Sequence, residues 1–217
     1  MDVKTQSLGQ APRAAQIARS GDNWSGFAWF IIKLLLAVLA IRVFVFSPFS
    51  IPSESMLPRL MNGDYLLAAK WPYGYSRQSL PFDMPLPHGR LLGSAPERGD
   101  VVIFKHPVDG RDYIKRVIGL PGDKIQVKSG ILYINGTEAP QVDAGVFTEV
   151  YEAQGSMGNS PRCSNAPVGN GGTCEKIRSV ETLPNGVKHN VLNIDTNGYA
   201  DNTDVFTVPE GNYFFMG

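Results

Sequence analysis

One apolar stretch, from Phe27 to Phe46, constrains this chain more than any other feature, because its only charged residues are Lys33 and Arg42. Its length suits a helix that crosses a bilayer core of about 30 Å. Long basic side chains near the ends of such a helix can extend towards the interface, so the two charges are compatible with a span. We therefore predict a transmembrane anchor at residues 24–46.

The residues on either side of the anchor predict its orientation. Residues 1–23 are mostly polar and are expected to form a solvated tail, which carries Lys4, Arg13 and Arg19. Arg59 is the only basic residue soon after the span. The positive-inside bias therefore predicts a cytoplasmic N-terminus and places the rest of the chain across the membrane. A cleaved secretory signal fits less well, because the preceding tail is long and no small-x-small site follows closely.

Composition predicts a β-rich domain after the anchor. The chain has 217 residues, with 20 basic and 20 acidic side chains and no run of like charge, so nucleic acid is not an expected partner. Gly (23 residues) and Pro (16 residues) are spread through it and favour many turns. We predict a mainly β fold, in which residues 47–217 form antiparallel sheets with an inserted loop or hairpin region at about 137–182.

Short apolar runs bounded by turn residues predict the strands. A hairpin is expected between Ile125–Val127 and Ile131–Ile134, turning at Ser129-Gly130, with Asn135-Gly136 as the next turn. A second hairpin is expected to turn at residues 184–186. The continuous run Val101–Phe104 is typical of a strand buried on both faces. Residues 137–182 are expected to be more loosely organised.

The two cysteines, Cys163 and Cys174, lie in a stretch rich in Gly, Asn and Pro. Such a stretch has little means of holding itself folded, and a disulfide would stabilise it by roughly 2–4 kcal/mol. A disulfide agrees with a location outside the cytoplasm. A metal site is the alternative, but it lacks a second close pair and a His at ligand spacing. No metal or other cofactor is therefore expected.

Two serines, Ser53 and Ser55, follow the anchor within the segment Ile51–Leu60. Pro52 and Pro58 restrict the backbone at both ends of this turn. A hydroxyl held in this way can act as a nucleophile, and N–H groups at the start of a short helical turn can meet developing negative charge. The alternative is that one of the serines only caps a short helix.

A lysine is the best candidate to activate such a serine, because none of the three histidines can be paired with Ser55 from spacing. Strand alternation over Tyr113–Ile118 places Lys115 and Arg116 on opposite faces, so one cation must lie near the core. Arginine cannot lose its proton in a protein, whereas the pKa of a desolvated lysine can fall several units from about 10.4. The alternative is an edge strand with both cations in solvent.

Four motifs together resemble those of the bacterial type I signal peptidases, also called leader peptidases. They occur in the order Pro52–Pro58, Gly63-Asp64, Arg98–Phe104 and Asp112–Asp123. The resemblance implies a serine endopeptidase, anchored by one span in the bacterial inner membrane, that removes signal peptides from exported preproteins on the extracytoplasmic side. It implies that Ser55 is the nucleophile and Lys115 the general base, with the Ser53 hydroxyl and the Ser55 N–H forming the oxyanion hole.

The same resemblance implies shallow apolar pockets that accept small substrate side chains one and three residues before the cut. Its candidate lining residues are Phe49, Ile51, Met56, Leu60, Tyr113 and Ile114. The substrate is expected to add an extended strand beside them. Because few residues separate the anchor from Ser53, the site must lie near the bilayer. We expect an interfacial apron formed by Trp71, Tyr73, Tyr75 and residues 80–86.

One family motif, beginning Gly-Asp-Asn-Arg-Asp-Asn-Ser, is met only by its lead-in at Val208–Gly217. The expectation is a C-terminally truncated chain that cleaves weakly or not at all until the missing part is restored. Two other functions stay open. A specialised plasmid-transfer or pilin-processing peptidase would keep the chemistry, and a membrane-anchored β-rich binding module would not be an enzyme. The sequence makes no prediction about oligomeric state.

Overall fold

A computed structural model describes residues 24–76, 79, 89–195 and 197–217. The predicted tail at residues 1–23 and the 80–86 part of the apron lie outside these described residues. The chain divides into two compact units, the first ending at Ala40 and the second running from Ile41 to Gly217.

The helix α1 spans Trp24–Phe44, and none of its residues is buried. Among the described residues it is the one helix long and apolar enough to cross a membrane. It ends two residues before the predicted Phe46 because Phe46 already pairs with Ala69 in a β-sheet. The prediction of an apolar N-terminal helix is confirmed.

Twelve strands form four antiparallel sheets in the part of the chain that the structure describes. The first sheet joins β1 (Phe46–Ser50) to β2 (Tyr65–Ala69). The second has the order β12-β4-β3, from strands Phe214–Met216, Asp112–Gly119 and Val101–Lys105. The third has the order β11-β5-β6-β7, from strands Phe206–Thr207, Lys124–Lys128, Ile131–Ile134 and Thr137–Glu138. The fourth has the order β10-β9-β8, from strands Lys188–Asn193, Thr173–Thr182 and Gln141–Val150. The predicted mainly β fold is confirmed.

The β5–β6 hairpin turns where its sequence predicts. Ser129 (φ 48°) and Gly130 (φ 76°) both have positive φ, as do Asn135 (φ 55°) and Gly136 (φ 80°) at the next turn. Two consecutive residues with positive φ give the turn whose twist matches that of the flanking strands. These short turns fix the register in which Ile125 pairs with Ile134.

The region at 137–182 is more regular than expected at its two ends, where the prediction of loose structure is wrong. Its two ends belong to β8 and β9, strands of ten residues each that pair with one another, and β9 also pairs with β10; residues 151–172 connect the two strands. A register shift between Asp143 and Val146 interrupts β8, and Gly145 in that bulge has a φ of 81°. The bulge breaks the polar–apolar alternation that would have identified the strand from sequence.

The core of the second unit lies between the sheets and is aliphatic. Its central members are Ile118, Ile125, Leu132, Ile134, Ala139, Leu183 and Val208. The strand β3 contributes from one face only, because it lies at the edge of its sheet: Val102 is buried, while Val101 is 36% exposed. The expectation that β3 is buried on both faces is therefore wrong. The neighbouring strand β4 lies between β3 and β12, where it can hold a side chain in a fixed position.

Candidate active site

The segment that carries the two serines is a closed loop between β1 and β2. The Ile51 N–H donates to the Asp64 carbonyl at 2.8 Å, and the Gly63 N–H donates to the Ile51 carbonyl at 2.8 Å. Ile51 and Met56 are buried, 2% and 5% exposed, and anchor the loop from below. A backbone pinned at its ends and anchored by buried side chains leaves little freedom to the residues between them.

Within this loop Ser55 lies in a short 3-10 helix, Glu54–Met56, and Ser53 precedes it in an extended conformation. Their hydroxyl oxygens are 3.4 Å apart. Ser53 is exposed, whereas Ser55 is half-buried. The first N–H groups of a helical turn have no partner inside the turn, so this geometry leaves donors for an incoming oxygen beside the Ser53 hydroxyl.

Lys115 lies on β4 opposite Val102 of β3 and is half-buried. Burial lowers the pKa of its amine below the ordinary lysine value. The neighbouring Arg116 is also half-buried and donates to the Gly99 carbonyl at 2.6 Å. Both cations are thus withdrawn from solvent, but only the lysine can become a neutral base.

The serine turn and Lys115 meet at the end of β12. The 3-10 helix Glu54–Met56 lies against β4. A Cβ atom at Gly217 would lie 3.0 Å from the Lys115 Nζ and 3.0 Å from the Ser55 carbonyl oxygen. Those two atoms are therefore separated by no more than the sum of these distances. Among the hydrogen bonds of the described residues, none joins the Ser55 hydroxyl to the Lys115 amine.

The two histidines within the described residues each lie close to the carboxylate of an acidic residue. The Nδ1 atom of His106 lies 3.1 Å from Asp109, and the Nε2 atom of His189 lies 3.3 Å from Glu181. The third, His88, lies outside the described residues. Neither described histidine is hydrogen-bonded to a serine of the turn.

The candidate pocket residues lie on β1, on the serine turn and on β4. Phe49, Leu60, Tyr113 and Ile114 are half-buried, while Ile51 and Met56 are buried. In the described residues β1 pairs only with β2, and β12 pairs with β4 only from Arg116 onward. The outer edges of β1 and of Tyr113–Lys115 therefore carry unpaired backbone groups, which an extended peptide can use.

A polar cleft of about 350 Å³ opens beside the two serines. It is lined by Ser53, Glu54, Ser55, Asn62, Gln154, Asn159, Ser160, Pro161 and Arg162. The sequence analysis missed the contribution of residues 154–162, because it treated residues 137–182 only as a loosely organised region. No local pattern points to it, since the residues meet the turn only in the folded chain.

The loop that supplies Arg162 is joined to β9 by a disulfide between Cys163 and Cys174, whose Cα atoms are 5.2 Å apart. The Ser164 N–H also donates to the Glu175 carbonyl at 2.7 Å. The loop is thus held covalently and by hydrogen bonds next to the cleft.

Aromatic residues gather where α1 leads into β1. Trp71 is half exposed, and its ring centroid lies 5.2 Å from that of Phe46. The Tyr75 hydroxyl donates to the Phe44 carbonyl at 2.6 Å. Tyr73 differs, because its hydroxyl donates to the Asp100 carboxylate at 2.7 Å. Burial, followed by the Asp100 carboxylate, raises the pKa of Tyr73 well above its ordinary value.

Comparison with known proteins identifies relatives along nearly the whole chain. The profile of the family described as "Signal peptidase, peptidase S26" matches residues 24–217. Signal peptidase I of Rickettsia felis is 36% identical over 205 residues, covering 90% of this chain and 68% of the relative. The enzyme of Rickettsia canadensis is 35% identical over 207 residues, covering 91% and 69%. That of Rickettsia typhi is 37% identical over 200 residues, covering 88% and 67%. The chain thus spans about two thirds of the length of these relatives.

Proposed function

The chain belongs to the signal peptidase family, peptidase S26, and is a membrane-associated serine endopeptidase that cleaves signal peptides; we propose that Ser55 is its nucleophile and Lys115 its general base. The observation that carries this proposal is the half-buried Lys115 amine, whose pKa is lowered by burial, beside the backbone of the Ser55 turn. A lysine that loses its charge easily can accept a proton from a serine hydroxyl.

The reaction begins when the neutral Lys115 amine takes the Ser55 hydroxyl proton while the serine oxygen attacks the scissile carbonyl. The carbonyl oxygen becomes an oxyanion, which accepts hydrogen bonds from the Ser53 hydroxyl and the Ser55 N–H. The protonated lysine then gives its proton to the departing amine, and an acyl-enzyme remains. The amine next takes a proton from water, whose oxygen attacks the ester, and returning that proton to Ser55 restores the enzyme.

Substrate binding follows from the unpaired edges beside the site. The residues before the cleavage point lie as an extended strand along β1 and Tyr113–Lys115, so that main-chain hydrogen bonds hold substrates of different sequence. Small side chains enter pockets formed by Phe49, Ile51, Met56, Leu60, Tyr113 and Ile114. The buried state of Ile51 and Met56 supports this, because such residues form the floor of a shallow pocket.

We also propose that the catalytic domain lies on the extracytoplasmic side of the bacterial inner membrane, with the N-terminus in the cytoplasm. The basic residues before the anchor support this orientation, and so does the disulfide after it. The exposed Trp71, which meets Phe46 edge to face, is the described residue of the apron best placed to meet lipid. Brominated lipids should quench Trp71 fluorescence, measured in a variant without other tryptophans; unchanged emission would exclude the apron.

The family assignment does not favour the alternatives of a pilin-processing peptidase or a non-enzymatic binding module. The proposal is tested by incubating the chain, in detergent micelles, with a general preprotein and with a single pilin-type substrate. Cleavage of the general preprotein should fall at least about 100-fold in Ser55→Ala and Lys115→Ala, since acid–base catalysis is worth about 10²–10⁴. Lys124→Ala, which changes an exposed lysine on β5, is the matched control. Cleavage that survives in Ser55→Ala would refute the assignment of the nucleophile.

A further inference from the structure

Glu54, the residue between the two serines, belongs to an ion cluster. One of its carboxylate oxygens lies 2.5 Å from the Lys176 Nζ, and the other lies 2.9 Å from the Arg162 Nε. The same Lys176 amine lies 2.6 Å from the Glu149 carboxylate. Lys176 is only 2% exposed. Two acidic and two basic side chains thus meet at the turn that carries the candidate nucleophile.

The two basic neighbours of Glu54 favour its charged form. Burial by itself raises the pKa of Glu54. The hydrogen bonds from Lys176 and Arg162 lower it by more, so the pKa of Glu54 lies below its ordinary value. The cost of burying the Lys176 amine is offset by its contacts with two carboxylates, those of Glu54 and Glu149. Glu54 is therefore fixed between strand β9 and the loop that precedes Cys163.

A second connection joins β8 and the residues after it to the other end of the serine loop, at Asn62. The Asn62 side-chain amide donates to the Gln154 carbonyl at 3.3 Å, and the Gln154 side chain donates to Glu149 at 3.0 Å. Residues 54 and 62 are thus both connected to Glu149, one through Lys176 and the other through Gln154. The loop is held at two points by one polar network.

The disulfide fixes the two cations relative to each other. Arg162 directly precedes Cys163, and Lys176 follows Cys174 by two residues. Because the sulfur bridge joins these neighbours, the guanidinium and the ammonium reach Glu54 from a preassembled frame. The bridge therefore restricts the backbone from which both side chains reach the Glu54 carboxylate.

We propose that Lys176 is a positioning residue for catalysis, which holds the Ser53–Ser55 turn in its reactive geometry through Glu54. This inference rests on the proposed function of Ser55 and adds a residue that the family motifs in this sequence do not contain. Glu54 and Arg162 line the cleft beside the two serines, so the ion cluster adds a restraint at the turn itself to those at the ends of the loop. A displacement of about 1 Å in a catalytic group can lower the rate about 10²-fold.

The test compares Lys176→Met with Lys188→Met, which removes an exposed lysine from the next strand. Cleavage of a signal-peptide substrate and acylation of Ser55 by a serine-directed inhibitor are both measured, with thermal unfolding alongside. Lys176→Met should lower kcat and the acylation rate by about tenfold or more while KM changes less than about threefold, because the turn moves but the apolar pockets remain. Lys188→Met should leave all three unchanged.

Glu54→Gln provides a second, gentler variant, because it keeps the size of the side chain and leaves Lys176 paired with Glu149. It should also lower kcat. It keeps the inference testable if Lys176→Met does not fold. In the double variant the two losses should not add, since both changes remove the same contact. Unchanged kcat in Glu54→Gln, or additive losses in the double variant, would overturn the positioning role.

The outcomes separate this inference from the function on which it rests. If the inhibitor blocks cleavage without acylating Ser55, the proposed function of Ser55 itself fails. If the unaltered chain is acylated and Lys176→Met is acylated at the same rate with only a lower unfolding temperature, the ion cluster serves stability alone and the inference fails by itself.

Discussion

Gly217 lies where the serine turn and the lysine meet, so Gly217→Ala is the smallest change that perturbs both. The added Cβ would lie 2.8 Å from the Lys115 Cδ and 3.0 Å from its Nζ. Ordinary carbon–carbon contacts begin near ~3.5 Å, so the lysine side chain must withdraw by about 0.7 Å. The Ser55 carbonyl oxygen, 3.0 Å away, blocks relief on the other side.

The magnitude follows from this displacement. Since a misplacement of about 1 Å can lower a rate about 10²-fold, we expect Gly217→Ala to reduce kcat between about tenfold and about 100-fold. That range corresponds to roughly 1.4 to 2.7 kcal/mol of activation free energy. The effect should fall on kcat rather than on KM, because the atoms nearest to the added Cβ belong to Lys115 and to the Ser55 backbone.

The assay is steady-state cleavage of a signal-peptide substrate, with the acylation rate of Ser55 as a second readout. Gly169→Ala is the matched control, because a Cβ at Gly169 meets nothing within 4 Å. It should behave as the unaltered chain does. If Gly217→Ala keeps full kcat while folding normally, the Lys115 amine does not act from the position described above.

Four further predictions concern the serine turn, Lys115 and the disulfide. Ser53→Ala removes one oxyanion donor and should lower kcat by about 10²–10³-fold with little change in KM. Steady-state kinetics measures both, and an equal effect on KM would contradict this role. The acylation rate should rise with pH through the lowered pKa of Lys115 and level off below pH ~10.4, the value of an exposed lysine; a plateau only above that pH would contradict a buried base. Up to that pH the Lys115 amine is protonated in the unfolded chain, whereas burial disfavours its charge in the folded chain. Lys115→Met should therefore have a larger free energy of unfolding than the unaltered chain near neutral pH. Denaturant unfolding should show this difference shrinking as the pH rises. Replacing Cys163 and Cys174 by Ser should cost about 2–4 kcal/mol of unfolding free energy, and added reductant should then have no further effect.

Features encoded by a few adjacent residues were predictable from the sequence. The apolar run before Ser47 predicts α1, and the pairs Ser129-Gly130 and Asn135-Gly136 predict turns that require positive φ. The Pro-bounded serine segment likewise predicts a restrained turn. In each case the local chemistry determines the local backbone, so no tertiary information is needed.

The long strands β8 and β9 were not predictable in the same way. Gly145 and the register shift after Asp143 interrupt the alternation of β8, and its partner is more than twenty residues away in the sequence. The strand exists because β9 pairs with it, which is a tertiary reason. Strand propensity read from sequence is weakest where such pairing decides the outcome.

The ion cluster at the serine turn was equally hidden. Glu54 and Lys176 are separated by 122 residues, and each alone resembles an ordinary surface charge. Only the fold shows that the lysine is buried between two carboxylates. By contrast, the alternation of β4 restricts Lys115 and Arg116 to opposite faces, so the candidate base could be selected before the structure was known.

The proposed Ser55–Lys115 mechanism is tested most directly by finding which residue is covalently labelled and how the labelling rate depends on pH. The chain is treated with a serine-directed acylating inhibitor between pH 6 and pH 11, and the adduct is located by peptide mass spectrometry. We expect a single adduct on Ser55, formed at a rate that follows deprotonation of Lys115 and lost in Lys115→Met. An adduct on another residue, or labelling of Ser55 that is independent of Lys115, would contradict the proposed Ser55–Lys115 mechanism.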